Sequence, residues 1–310
     1  MEKNKNLVDI YRKLNESYKR KLIFHMGGDK GAGFYSELNT LLLSVLFALK
    51  YKYQFVLYSK DCHFAFGNGW GEFFHQFCPE YDNDYIGEKI GRTYLGYGNR
   101  RLFLYKLLSR NLIENDMYGL CRSAWFEQEM FDIPELAIKG NIRDALKVII
   151  SIVYRFNEIY QLQIEDYMEK LNLPHDFICM HIRGGDKVKE RELIEPQRYI
   201  DRAEDMTACR NVFLFTDDYR ILKMLEANNP QWNFFTSTSE HEMGHDACEY
   251  LKEPEQKIRH TFIELFASIE IAVKSELFIG TYSSNIGLFI GMLLDDSKFE
   301  GMDFDRWMIL

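Results

Sequence analysis

The sequence predicts an α/β chain of two halves, each built on its own parallel sheet. Three observations point there. In the second half, short continuous apolar runs alternate with helix-length segments, the pattern of a parallel sheet covered on both faces. In the first half, a strand, a glycine turn, a helix and a second strand succeed one another from Leu22 to Tyr58, as in one right-handed βαβ unit. Between them, Leu173-Pro174-His175 reads as a joint, because proline restricts the residue before it and stops helices. Residues 1–172 and 173–310 are therefore the expected domains.

Each element has its own signal. The opening is a charged helix through Arg20, with Leu7, Ile10, Tyr11 and Leu14 at helical spacing. Leu22-Ile23-Phe24 is the first strand, Gly27 to Gly33 its turn, Tyr35 to Tyr51 a long apolar helix and Phe55-Val56-Leu57-Tyr58 the second strand. Asp61 to Gly98 is rich in aromatics and glycine without periodicity, and is expected to form long loops over a cleft. From Arg101 to about Asn172 the pattern is helical, with Ile142 to Gln163 the most regular stretch. Beyond the joint, strands are expected at Phe177–Ile182, Val212–Phe215, Trp232–Phe235 and Leu277–Gly280. Helices are expected at Pro196–Ala203, Tyr219–Ala227, Phe262–Lys274 and Asn285–Leu294. No internal repeat interrupts this order.

Composition narrows the classes. The chain has 310 residues, of which 46% are apolar and only 6 are proline, so a disordered reading has little support and a large core is expected. A formal net charge of -9 repels phosphate backbones and argues against nucleic acid as a partner. A small anion remains compatible, since a local arginine and helix N-termini outweigh a distant net charge. Cys62, Cys78, Cys121, Cys179, Cys209 and Cys248 form no C-x-x-C pair and read as buried thiols in a reducing compartment. The N-terminus is polar, and the longest apolar run, Leu41 to Leu49, is broken by Ser44 and too short to span a bilayer. The expectation is a cytoplasmic chain as written, with a membrane anchor outside it left open.

Three polar clusters follow predicted strands, at the edge where open α/β sheets bind ligands. The first is His181-Ile182-Arg183-Gly184-Gly185-Asp186-Lys187, in which an arginine can pair with a phosphate and glycines allow close backbone approach. A solvated charged loop is the plainer alternative. The second is Thr216-Asp217-Asp218, whose carboxylates suit ligand hydroxyls or a neighbouring cation, while Asp218 also suits a helix N-cap. The third is Gly280-Thr281-Tyr282-Ser283-Ser284-Asn285, where hydroxyls and N–H groups at a helix N-terminus attract an anion; ordinary serine capping has the same sequence.

The order of these segments resembles the alpha-1,6-fucosyltransferases, the family of the core N-glycan enzyme and the rhizobial nodulation enzyme. H-I-R-G-G-D-K-V with Glu195-Pro196 and Tyr199 is similar to that family's H-x-R-x-x-D-K-V signature. F-L-F-T-D-D and G-T-Y-S-S-N are similar to its T-D-D and T-F-S-S-Q segments. Gly31-Ala32-Gly33-Phe34 with Glu37-Leu38 resembles its G-C-G-Y-G-C-Q-L, and Gly69-Trp70-Gly71-Glu72 its G-G-W-E. The matches run in order from about Gly31 to Asn285.

The resemblance implies a GT-B-like fold of two Rossmann-type halves with a cleft between them. It implies transfer of fucose from GDP-fucose to a glycan hydroxyl with inversion, no metal and no further cofactor. By position, Arg183 would clamp the β-phosphate, His181 would support that pocket, and Asp186 and Lys187 would complete the loop. Ser283 and Ser284 would contact the diphosphate, Asp217 and Asp218 would face the nucleoside, and Gly31 and Gly33 would let the first loop approach the donor. Two departures stand out. Gly184 occupies the place of a second basic residue, and Arg191 the place of the proposed catalytic glutamate, leaving Glu190 and Glu192 as candidates for the base.

Other readings compete. The alpha-1,2- and protein O-fucosyltransferases share the H-x-R element. Loss of the base would leave a GDP-sugar- or glycan-binding protein. His241-Glu242-Met243-Gly244-His245 matches the H-E-x-x-H of zinc proteases if helical. Gly31-Ala32-Gly33 opening a helix is a partial dinucleotide fingerprint, with Ser36 at its third position. Trp70, Phe64, Phe66 and Tyr85 suit either an acceptor cleft or the core. Nothing in the sequence speaks to oligomeric state.

Overall fold

A computed structural model describes residues 2–27, 33–60, 62, 64, 66–81, 112–113, 124–184, 194–244 and 253–309. The chain divides into two compact units, Met1–Asn157 with Ile309–Leu310, and Glu158–Met308. The division falls ahead of the helix Glu158–Lys170, whereas the sequence placed its joint at Leu173-Pro174-His175.

The first unit contains α1 (Glu2–Glu16), β1 (Arg20–His25), α2 (Phe34–Tyr51), β2 (Tyr53–Tyr58), β3 (Leu112–Ile113), α3 (Ala124–Glu127), β4 (Phe131–Ile133), β5 (Ile138–Gly140) and α4 (Ile142–Val153). Its sheet has the order β2-β1-β3, all parallel, with Leu22 opposite both Phe55 and Leu112. The central strand β1 buries Leu22, Ile23 and Phe24, and α2 buries nearly every residue, so its apolar character on all sides marks a core helix. It stops where Lys52 adopts a left-handed conformation and its N–H returns to Ala48 and Leu49. Asn15 of α1 stitches that helix to β2, accepting from the Phe55 N–H at 2.7 Å and donating to its carbonyl at 2.9 Å.

Two sequence expectations fail here for tertiary reasons. The helix predicted over Ile142–Gln163 is broken at 154–157. His75 donates its N–H to the Arg155 carbonyl at 2.8 Å, and Asn157 donates to that of Phe73 at 2.9 Å. The Phe156 ring stacks on Phe74 at 5.0 Å, and Phe74 on Trp70 at 4.3 Å. This strand-like pairing over an aromatic stack outweighs local helix preference. The expected helix from Arg101 is likewise interrupted by the antiparallel pair β4–β5, turned around Pro134 and left-handed Ala137. Trp70 and Phe64 are fully buried and belong to the core rather than to a cleft wall.

The second unit contains α5 (Glu158–Lys170), β6 (Ile178–Ile182), α6 (Gln197–Met206), β7 (Asn211–Thr216), α7 (Tyr219–Asn228), β8 (Asn233–Phe235), α8 (Glu255–Lys274), β9 (Phe278–Gly280), α9 (Asn285–Leu293) and β10 (Phe299–Gly301). The sheet order is β10-β9-β6-β7-β8, all parallel. All five residues of β6 are buried, as a central strand covered on both faces requires. One face packs Ile178, Met180 and Ile182 with Tyr199, Ile200, Val212, Leu214, Leu225 and Ile279. Among the described residues of this half the predicted alternation holds, and β10 is the strand that was not foreseen. No helix among the described residues is long and apolar enough to cross a membrane.

Candidate functional site

The sheet order decides where the polar clusters meet. From β6 the chain runs outward through β7 to β8; α8 then carries it back to β9, on the opposite side of β6. The order therefore reverses between β6 and β9, and such a switch point leaves a crevice at the carboxyl ends of the two strands. Arg183 follows β6 on one side of it, and Thr281 to Ser284 follow β9 on the other. Thr216 ends β7, the other neighbour of β6, and Asp217-Asp218 follows it.

His181 lies just inside the end of β6 and is 4% exposed. Its ring packs against Phe215 at 4.9 Å and Phe278 at 6.4 Å. A Cβ on Gly280 would lie 3.6 Å from that of His181, which places the base of the serine turn beside the imidazole. Burial first, and then the nearby Arg183 charge, hold its pKa down to about 4, against an upward pull from Asp217. The ring is therefore neutral at physiological pH. Its Nδ1 is buried without a hydrogen-bond partner among the described residues, a costly state that marks a place for a polar group.

The loop after β6 is fastened from β7. The Gly184 N–H donates to Asp217 Oδ1 at 2.7 Å, and a Cβ on Gly184 would come within 2.7 Å of Asp218 Cβ. Gly184 is thus a packing requirement, which explains why no second basic residue follows Arg183. Asp218 is 5% exposed and caps α7, accepting from the Arg220 N–H at 3.0 Å. The Arg220 guanidinium also donates to both carboxylate oxygens, at 2.9 Å and 2.5 Å, and this pairing holds the Asp218 carboxyl below its ordinary range. The capping alternative is the one realised for Asp218. Arg220 itself carried no sequence signal beyond its charge.

The serine turn is partly self-occupied. Ser284 caps α9, accepting from the Gly287 N–H at 2.8 Å and donating its hydroxyl to the Thr281 carbonyl at 3.0 Å. The N–H groups of Tyr282 and Ser283 donate to the two oxygens of Asp303, at 2.8 Å and 3.0 Å. Asp303 escaped the sequence reading because it follows the three-residue strand β10, too short to give a periodic signal. Among the described residues no hydrogen bond engages the hydroxyls of Thr281 or Ser283, and both residues are half-buried.

In the first unit, Gly33 stands at the N-terminus of α2 with φ −72, and a side chain there would meet nothing within 4 Å. The glycine required by the turn is Gly27, with φ +89 and a Cβ that would fall 2.3 Å from the Cys62 backbone. Its N–H donates to the buried Glu37 carboxylate at 2.9 Å and 3.0 Å. Gly31, Asp186, Lys187, Glu190 and Glu192 lie outside the described residues, as do Tyr85 and His245.

The H-E-x-x-H segment does not make a metal-binding helix turn through its described residues. Residues 239–244 form a turn in which Tyr219 donates to the Glu242 carbonyl, Gly244 donates to that of Asp217, and Gly244 has φ +104. The i, i+4 geometry of the zinc-protease alternative is absent there.

No protein-family model matches the sequence, and no curated protein is similar to it by sequence. Solved structures do match. The chain is similar to the fucosyltransferase NodZ from Bradyrhizobium at 14% identity, with a TM-score of 0.56, over 93% of this chain and 96% of that one. A NodZ alpha-1,6-fucosyltransferase structure soaked with GDP-fucose matches at 14% identity and a TM-score of 0.52, over 89% and 93%. Arabidopsis thaliana FUT1 in complex with GDP matches at 10% identity and a TM-score of 0.54, over 97% of this chain and 73% of that one. The chain therefore shares the GT-B-like fold of these proteins, two α/β halves on parallel sheets, as the sequence resemblance implied.

Proposed function

We propose that the chain is a glycosyltransferase that transfers fucose from GDP-fucose to a glycan hydroxyl, with inversion and without a required metal. The observation that carries this reading is the switch point of the second sheet. There the H-x-R element and the serine turn flank one crevice, in a fold shared with fucosyltransferases.

The chemistry follows from charge. Departure of GDP leaves negative charge on the β-phosphate, and the Arg183 guanidinium stabilises it more in the transition state than in the ground state. His181 stays neutral beneath it, so its unpartnered Nδ1 offers a hydrogen bond rather than a second charge. Ser283 supplies a hydroxyl to the diphosphate, while Ser284 is occupied as the α9 cap. Asp217 acts on the site by fixing the Arg183 loop through the Gly184 N–H, while Asp218, paired with Arg220, caps α7. Glu190 or Glu192 takes the proton of the acceptor hydroxyl, and Asp186 and Lys187 complete the donor loop.

A thermal-shift panel of nucleoside diphosphates and their sugars tests the donor, since a ligand bound only by the native state raises its melting temperature. GDP and GDP-fucose are expected to stabilise selectively, with fucose transfer to an oligosaccharide following. Stabilisation by NAD, or by no guanine nucleotide, would contradict the reading.

A further inference from the structure

The turn expected to bind an anion already holds one from within the protein. Consecutive N–H groups of Tyr282 and Ser283 converge on the two oxygens of Asp303, at 2.8 Å and 3.0 Å. Such paired N–H groups form a concavity that suits an anion, and bonds to a charged acceptor are the stronger ones. The aspartate is itself anchored: Met302, its neighbour, donates to the Gly280 carbonyl at 2.8 Å, and Tyr282 stacks on Phe299 of β10 at 4.1 Å. Gly301 admits this packing, because a Cβ there would lie 2.3 Å from the Phe304 carbonyl oxygen and 2.7 Å from the Tyr282 ring.

We infer that Asp303 is the positioning residue of the donor turn. It takes the two N–H groups that a diphosphate would otherwise use and holds the turn so that the Ser283 hydroxyl is the group presented at the crevice. It does not touch the donor; it acts through Ser283. This inference rests on the proposed donor site and assigns a residue that the sequence motifs do not contain.

The test is a double-mutant cycle on the full chain, read as the dissociation constant of GDP by calorimetry at a temperature where every variant is folded. Asp303→Ala and Ser283→Ala are each expected to weaken GDP binding roughly tenfold, and the double variant little more than either, because coupled residues are not additive. Asp303→Asn keeps one acceptor oxygen and is expected to lose less; it also decides the matter if the alanine variant does not fold. A general loss of stability would lower the melting temperature without producing this coupling. Aspartate variants that bind GDP as wild type does, or losses that multiply with that of Ser283→Ala, would overturn the positioning role and leave the donor site standing. A wild-type chain that binds no GDP would overturn both.

Discussion

After β7 the chain turns through Thr216-Asp217-Asp218 into α7, and after β9 through Thr281-Tyr282-Ser283-Ser284 into α9. In both turns the last polar residue caps the helix, Asp218 for Arg220 and Ser284 for Gly287. In both, a carboxylate takes nearby N–H groups: Asp217 takes that of Gly184, and Asp303 those of Tyr282 and Ser283. The two turns differ in where the charge originates. After β7 the carboxylates belong to the turn and Arg220 pairs with one of them, whereas after β9 the carboxylate comes from beyond β10 and the turn keeps hydroxyls in hand. A polar cluster at a strand end is thus divided between holding the backbone and meeting a ligand, and only what remains after the caps are satisfied is available for chemistry.

Substitutions can break this contrast. Arg183, just after the strand between the two turns, should show the largest effect. Arg183→Ala is expected to raise the barrier by on the order of 3–4 kcal/mol, as loss of one oxyanion donor does. Steady-state turnover with GDP-fucose measures it, and near-normal turnover would remove Arg183 from the site.

His181 reports on the ground shared by both turns. The unfolded imidazole takes a proton near its ordinary value of 6.5, while the folded one waits until about pH 4. Stability is therefore intact above pH 6.5 and declines as pH falls toward 4, by on the order of 3 kcal/mol across the window. Urea unfolding of wild type against His181→Phe at several pH values checks this. Parallel pH profiles for the two proteins would show that the imidazole is not held neutral.

Gly184→Ala tests the clamp on the β7 side. Its new methyl would meet Asp218 at 2.7 Å and is expected to cost about 1–3 kcal/mol by overpacking, visible in the denaturant midpoint. A silent substitution would mean that the loop gives way freely. The smallest effects belong to the caps. Ser284→Ala and Asp218→Ala should each cost about 1 kcal/mol of stability. Ser284→Ala should leave GDP affinity nearly unchanged where Ser283→Ala reduces it, and equal effects on affinity would erase the distinction drawn within the turn.

Sequence made the second unit legible because its inner strands β6, β7 and β9 are buried on both faces and its helices are separated from them by polar turns, so each apolar run maps to one element. The positions of His181, Arg183, Asp217 and Ser283 at strand ends followed from that mapping. Strand order did not, since nothing local says that β9 pairs with β6 rather than β8. Asp303 was invisible for the same reason, reaching the turn from 20 and 21 residues downstream across a strand of three residues. In the first unit, local pattern misled where distant residues set the backbone, as when Phe73 and His75 pull 155–157 out of the helix that Ile142 to Gln163 would otherwise make.

The central claim is that the guanidinium after β6 grips the diphosphate of the donor, and calorimetric titration of GDP and guanosine into wild type and Arg183→Ala tests it most directly. The variant is expected to lose GDP affinity by about tenfold or more while any weak guanosine binding is unchanged, because a charge-assisted pair to phosphate carries the difference. Equal GDP affinity in the two proteins would contradict it.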